Sequence, residues 1–590
     1  MADAHQESPI KEEPPPPPYP SRATKPGLKR LLLTLTILLS FIAGFPFLLK
    51  STEIYRSPLP HWSIESLSRS LKSNPPFLPC RFHAVFFSSG HRPDELAASI
   101  AAAMKKRRSA AVEAAVCGKC GAEFNVTVTT MAATDDDGEI GSLDGDDEAV
   151  DEMLESLLKR RGGEGGGGGR VYTVFVMERE GMRKVVVGKH RHAWIVGRVT
   201  ESEAVEMIGG IFVEYFINGG KEGGEVIGEN GEFMPVGADG RVVLSFSLLN
   251  ADPSDWVYDW DFQKTGEIMM APVVEALAPV ANITLESQVL YHTPKSSLSY
   301  WDEKLRSYVF SIRDLPFFAN SNEWHLDTSI AAAGRTRVLQ FVVYVPSAKE
   351  CPLLLQLPNG EISMTNGYIS PTWGGVVVWN PPECLGPTQD PLAGRRNTGT
   401  PRKTIPSMEL QKVFQVFVGQ LRQLFGLKSS NVQTTGLGIS NFVASENGFT
   451  EWELDVLFRH HACSNLDSCV TTLGSLSRLV QSLPRMIVMD EIGKQVKLSL
   501  EAASLAQNNA SQGIYDASAV SSRKARALAE DAFFHPSIMS ISYSSFEHYF
   551  AIYMPFFAPV SLHVLLAAAK ELKRYKQERA KYLASRTCMQ

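Results

Sequence analysis

Two uninterrupted apolar stretches bracket a long chain whose remaining apolar positions recur on shorter periods. The first, residues 31–49, reads LLLTLTILLSFIAGFPFLL and holds no charge across 19 positions. About 20 such residues cross the hydrocarbon of a bilayer. The second, residues 549–569, reads YFAIYMPFFAPVSLHVLLAAA and also lacks full charges. Pro555 and Pro559 would interrupt a soluble helix, but a membrane helix tolerates them where neighbours satisfy the freed carbonyls. A secretory signal peptide is the competing reading of the first stretch. The proline-rich leader of 30 residues and the lack of a small-residue cleavage site oppose it.

Between these stretches the pattern changes to runs typical of a folded domain. Valine-, isoleucine- and phenylalanine-rich runs predict strands at 81–88, 171–177, 184–187, 192–196, 241–249, 288–291, 337–345, 353–357 and 374–379. Helices are predicted at 61–78, 93–116, 298–309, 408–427, 475–486, 495–508 and 519–533. In 408–427, Leu410, Val413, Phe414, Phe417, Val418, Leu421, Leu424 and Phe425 recur at spacings of three and four. That stripe marks one face for packing on a sheet. The fold expected is a mixed α/β (α+β) ectodomain flanked by two transmembrane helices.

Charge turns the two spans into a topology. Residues 570–590 carry seven Lys and Arg against two Glu, and Arg22, Lys25, Lys29 and Arg30 precede the first span. Basic flanks stay on the cytosolic side. The reading is therefore a cytosolic proline-rich tail (1–30), a span (31–49), a luminal or extracellular domain (50–547), a second span (549–569) and a basic cytosolic tail (570–590). The overall net charge of -6 gives no basic excess for nucleic acid. Eleven acidic residues fall between Asp135 and Glu155 with no basic one, and five glycines follow at 165–169. This composition predicts a mobile insertion over 134–169 that builds no core, broken by a short helical run at 149–160.

A domain beyond the cytosol can be glycosylated and oxidised. Sequons stand at Asn125, Asn282 and Asn509. Seven cysteines fall between the spans, so at least one is free or paired with another chain; Cys463 and Cys469 form the easiest local pair. Cys117-Gly-Lys-Cys120 has the spacing of half a zinc or redox site but lacks a second half. His190-Arg-His192 and His460-His461 lack nominated metal partners. Any luminal cysteine could pair with His292 or His325 as a protease dyad, and Asp327 and Asp455 could serve a glycosidase, but nothing constrains either choice. No HExxH, GxSxG or phosphate loop occurs. Trp256, Trp260, Trp301, Trp324, Trp373 and Trp379 would stack sugars only if several shared an exposed surface. No catalytic residue, cofactor-binding residue or metal ligand is assigned, and no cofactor is expected.

Several stretches, in order, carry a more specific signal. They are Gly44-Phe-Pro-Phe with the segment from Lys50 to Pro60, Ser287-Gln-Val-Leu-Tyr291, Leu339-Gln-Phe-Val-Val-Tyr-Val-Pro346, and Ile369-Ser-Pro-Thr-Trp-Gly-Gly-Val-Val-Val-Trp-Asn380. The helix from Phe414 to Gly426 and Trp452-Glu-Leu-Asp-Val-Leu457 complete the set. Together they resemble the phosphatidylinositol-glycan class S family. The 134–169 insertion departs from a compact version of that pattern and suggests a plant member. The resemblance implies a non-catalytic scaffold subunit of the glycosylphosphatidylinositol (GPI) transamidase in the endoplasmic reticulum membrane. Its implied partners are the other transamidase subunits, among them a cysteine protease-like catalytic subunit, and membrane lipids. It also nominates the loop Pro371-Thr-Trp373-Gly-Gly as a contact. A membrane-anchored luminal hydrolase or glycan-processing enzyme is the alternative, and a lectin-like receptor a third reading.

Overall fold

The computed structural model describes residues 24–51, 56–73, 79–87, 92–110, 124–130, 146–161, 170–319 (without 182 and 221–235), 324–385 (without 329–334 and 358), 402–427, 441–483 (without 444, 446 and 447), 486–539 and 546–587. The chain divides into two compact units. One comprises Met1–Ser57, Ser482–Met489 and Pro536–Gln590; the other comprises Pro58–Gln481 and Asp490–His535.

The helices are α1 (Lys29–Ser51), α2 (His61–Ser73), α3 (Pro93–Ala110), α4 (Asp147–Arg161), α5 (Glu201–Gly210), α6 (Ile268–Leu277), α7 (Ser407–Leu424), α8 (Glu451–Ser482), α9 (Asp490–Ser511), α10 (Tyr515–Phe533), α11 (Pro536–Met539) and α12 (Phe546–Thr587). In the first unit α1 packs along α12. The less exposed positions of α12 in its apolar half, Phe557, Ser561, Val564 and Ala568, recur at spacings of four and three. That is the seam expected of two helices packed side by side. Among the described residues one helix, Ala551–Thr587, is long and apolar enough to cross a membrane, with a mean hydropathy of 1.7 over its most apolar 18 residues.

The second unit holds two largely parallel sheets. The first has the order β16-β4-β5-β3-β1-β2. Its strands are β1 (Arg81–Phe86), β2 (Asn125–Thr130), β3 (Val171–Met177), β4 (Lys184–Val187), β5 (His192–Val196) and β16 (Asn441–Phe442). Only β4 runs against its neighbour β5. The second sheet has the order β13-β14-β11-β6-β8. It uses β6 (Arg241–Asn250), β8 (Asn282–Leu290), β11 (Arg337–Val345), β13 (Gly367–Ser370) and β14 (Gly374–Val378). β6 and β11 are central and almost wholly buried, which explains why they read as continuous apolar runs rather than alternations. β9 (Tyr300–Asp302), β10 (Ser307–Ser311) and β12 (Leu353–Gln356) form a small third sheet, and β7 (Val257–Asp259) pairs with β15 (Arg402–Thr404).

The apolar stripe of α7 lands on the second sheet. Leu410, Val413, Phe414, Phe417, Leu421 and Leu424 pack with Phe246, Phe341 and Trp260 in one buried cluster. Each such side chain, once buried, contributes about 1.5–3 kcal/mol. Gln420, on the same helix, donates to the Tyr368 and Val376 carbonyls and so ties α7 to β13 and β14.

Three expectations change. Residues 298–309, expected as a helix, contain the turn of the β9–β10 hairpin. Arg306 takes φ 47° there, and Trp301 and Tyr308 face each other across the strands with ring centroids 5.1 Å apart. Cross-strand aromatic contact outweighs the weak helical periodicity of that run. The 134–169 stretch is not wholly outside the core: α4 lies in it, and Val150 and Leu154 are buried with Val85, Phe175 and Trp194. Its flanks, 134–145 and 162–169, lie outside the described residues. Third, Cys463 and Cys469 do not pair. Cys469 is a free buried thiol, whereas Cys463 is disulfide-bonded. Both lie on α8, where six residues advance about 9 Å, too far for a disulfide.

Gly374 marks where this fold tolerates no side chain. Its φ is 144°, and a Cβ there would lie 1.8 Å from the Gln340 carbonyl oxygen. Gly374→Ala is expected to destabilise the domain by at least about 2 kcal/mol. Thermal unfolding of the full chain in detergent measures this; an unchanged midpoint would refute the close approach.

Candidate functional site

The densest buried chemistry lies where α8 meets the first sheet. Asp455 and Arg459 stand one turn apart on α8 and are both fully buried. They share a face because residues four apart do so on a helix. Arg191, just before β5, grips both Asp455 oxygens, with Nε at 2.6 Å from one and Nη2 at 3.2 Å from the other. Arg170, just before β3, also reaches Asp455 and places its second nitrogen 3.1 Å from Asp516. Arg459 donates to the Tyr172 hydroxyl at 2.8 Å and to the Phe216 carbonyl at 2.8 Å. Its guanidinium lies over the rings of Tyr172 and Tyr515. The site therefore compensates its buried charges among themselves, as buried charges require. Asp455, nominated for carboxylate chemistry, is committed to two arginines. Asp327 is exposed.

A second cluster joins α4 to the same sheet. His192, fully buried, sets Nε2 2.9 Å from Oδ1 of the equally buried Asp151. Its other nitrogen lies 3.7 Å from Glu155. His190 lies 3.2 Å from Glu451 and 4.0 Å from Asp151. A Cβ at residue 188 would lie 1.9 Å from Asp151, so only glycine leaves room for that carboxylate. The partners of His192 that the sequence did not nominate, Asp151 and Glu155, thus come from the acidic insertion, whereas His190 also meets Glu451 of α8. The one available signal was that Asp151 and Glu155 stand four apart on a helical run. Among the described residues no group of three or more His, Cys, Asp or Glu side chains converges on a metal-holding geometry.

The nucleophile candidates are similarly placed. Cys351 and Cys384 are joined by a disulfide, and Cys80 and Cys463 are also disulfide-bonded. Cys469 is buried against Ser499, 3.3 Å away, and burial pushes its thiol up to about 11. A thiol in that state supplies almost no nucleophilic thiolate at neutral pH. Cys117 and Cys120 lie outside the described residues. His292 and His325 are exposed. His461 is buried, and its imidazole is held well below the usual range, first by burial and then by the nearby His460 and Arg526.

The tryptophans do not form a sugar platform. Trp260, Trp324 and Trp379 are buried, Trp256 and Trp373 pack partly against the cores, and Trp301 is half exposed on β9. In the loop between β13 and β14, Pro371 and Thr372 are exposed, and Thr372, at φ 67°, accepts a hydrogen bond from Arg337 through its carbonyl. Asn125 and Asn282 are exposed at the starts of β2 and β8, while Asn509 is half-buried in the last turn of α9.

The fold and this chemistry define a membrane-anchored α/β protein whose described acids, histidines and cysteines serve mainly as structural ties. The chain belongs to the phosphatidylinositol-glycan biosynthesis class S protein family, whose model matches residues 35–578. It is 31% identical over 327 residues to the GPI-anchor transamidase component PIGS of Bos taurus, covering 55% of this chain and 56% of that protein. It is 27% identical to the GPI transamidase component PIG-S homolog of Schizosaccharomyces pombe, covering 58% and 54%. It is 24% identical to the GPI transamidase component GPI17 of Saccharomyces cerevisiae, covering 59% and 61%. The aligned region thus spans a little over half the length of these curated relatives.

Two predictions follow from the buried groups. Asp455→Ala leaves Arg170 and Arg191 facing each other at a largely buried seam. It is expected to cost about 3 kcal/mol, read as a lowered unfolding midpoint; a change of a few tenths would remove Asp455 from its central place. The depressed His461 value means that the unfolded chain takes up a proton the folded chain refuses. Its stability contribution is therefore complete above the unfolded value of about 6.5 and is lost as pH falls below it. The melting point should fall between pH 7 and pH 5, and His461→Phe should flatten part of that slope. An identical slope in the variant would show that other groups set it.

Proposed function

We propose that this chain is a non-catalytic scaffold subunit of the GPI transamidase of the endoplasmic reticulum. On this reading it crosses the membrane twice, at 31–49 and 549–569, with both termini cytosolic and the α/β domain in the lumen. A partner subunit of cysteine protease-like chemistry performs the acyl transfer: its thiolate attacks the precursor's scissile amide, the carboxy-terminal peptide leaves as the protonated amine, and the ethanolamine amine of the GPI lipid then displaces the thiolate from the thioester to form the new amide. This chain contributes a fixed luminal frame that holds that partner in a productive position. The loop at Pro371 and Thr372 is a contact for partner subunits, and the surfaces of α1 and α12 meet lipid and partner helices. Plant origin rests on the acidic insertion alone.

The observation that carries the reading is the family match from 35 to 578, which takes in most of both apolar helices and the whole domain between them. The state of the cysteines agrees with it. Of the five described, four are in disulfides and the fifth is a buried, protonated thiol. Disulfides of this kind suit an oxidising lumen.

Mild detergent solubilisation of membranes carrying a tagged full chain tests the proposal. The chain is expected to copurify with several membrane subunits, and the isolated chain to show no turnover on a GPI-signal peptide. Turnover by the single chain, abolished by replacing one cysteine or carboxylate, would favour the membrane-anchored hydrolase instead. The luminal placement has its own check. Endoglycosidase is expected to shift the chain on a gel, with Asn125→Gln and Asn282→Gln each removing part of the shift; Asn509, half-buried on a helix, is the least accessible sequon. A chain unaffected by the enzyme in all its forms would withdraw support from the luminal assignment.

A further inference from the structure

Residues 56–57, which follow α1, and residues 486–489, which precede α9, belong to one unit and are tied through their backbones. The Ser57 N–H donates to the Val488 carbonyl at 2.8 Å, and Arg56 and Val488 form an isolated parallel bridge. Extended backbone points successive side chains to opposite sides. Val488 is fully buried, whereas Ile487 and Met489 on either side of it are 45% and 47% exposed. Two large apolar side chains therefore share one outward side. Arg56 follows the end of α1, Ser51, by five residues, a span of at most roughly 18 Å. The same unit contains α11, which leads toward α12. The bridge is thus held close in chain length to the end of α1.

We propose that residues 486–489 form a lipid-contacting segment, with Ile487 and Met489 inserted into the interfacial layer of the membrane. The inference rests on the reading of α1 and α12 as spans. A lipid surface fits the segment better than a protein does. Two side chains offer far less than the roughly 800 Å² per partner that a stable protein interface buries, whereas an interfacial anchor needs only a few apolar groups beside a span that already fixes their height. The acidic Asp490 and Glu491 follow directly in sequence and end the insertion at Met489.

The test places a benzophenone amino acid at single positions of the full chain, reconstituted in nanodiscs of phosphatidylcholine and phosphatidylinositol. Lipid adducts are read by mass spectrometry after illumination. Phe556, 73% exposed on the apolar part of α12, reports the span itself. Leu583, 52% exposed, lies about 21 Å along the helix beyond residue 569 and serves as the water-side control. Lipid adducts are expected at Ile487, Met489 and Phe556, and none at Leu583. Adducts at Phe556 with none at Ile487 and Met489 overturn the lipid-contact proposal alone, whether those positions stay unlabelled or capture protein. Equal labelling at Leu583 also overturns it. Absence of lipid at Phe556 overturns the membrane reading beneath it.

Discussion

The architecture of the α/β unit depends on α8 serving two sheets at once. Its first turn buries Trp452 in the core of the first sheet, with the indole N–H donating to the Gly188 carbonyl. Leu457 and Phe458, little more than a turn later, belong to the core of the second sheet. Between these apolar anchors, Asp455 and Arg459 face the first sheet and find their partners in Arg170, Arg191, Tyr172 and the Phe216 carbonyl. A helix apolar on one side only could not make both contacts. The charged pair lets a third side of α8 be buried, at the cost of requiring every partner to be in place.

That requirement gives the seam its specificity. Taking a guanidinium and a carboxylate out of water costs several kcal/mol each, and the loss is recovered only with good geometry and satisfied hydrogen bonds. The partners come from positions far apart in sequence: the ends of β3 and β5, the π-helical segment Ile211–Ile217 that continues α5, and α10. Any misregister of these elements would leave a buried charge alone. A polar network of this kind selects one arrangement of the sheets more sharply than apolar packing does. The same economy explains α4. Its acidic face, which as sequence looks too charged for any core, is paired with Lys184 and Lys189 and lies beside His190 and His192, and its other face then buries Val150 and Leu154. Groups held so firmly in mutual pairs are not available for proton transfer or nucleophilic attack.

How much was legible in sequence depended on how local the cause was. The strands at 171–177, 184–187, 192–196 and 337–345 appear where the apolar runs put them, because a buried parallel strand is apolar on both faces. The α7 stripe was equally clear, since its period alone identifies the packed face. The run at 298–309 was misread because its apolar spacing suits a helix, while the aromatic pair Trp301–Tyr308 acts only once the chain folds back on itself. Cys463 and Cys469 looked like neighbours by count, yet a helix carries them apart. Asp455 was visible as a carboxylate, but its two arginines lie 285 and 264 residues away along the chain, and no local pattern joins them.

Sequence by itself determined the membrane-compatible stretches, the strand and helix periods and the family, because each is written in the spacing of neighbouring residues or in ordered motifs. Tertiary structure decided which charges are buried and with whom, which cysteines pair, that part of an acidic insertion enters the core, and that Ile487 and Met489 face the same way. Those outcomes depend on the meeting of segments hundreds of residues apart. The energy of a buried charge or thiol is set by what surrounds it in space, and that surrounding exists only after folding.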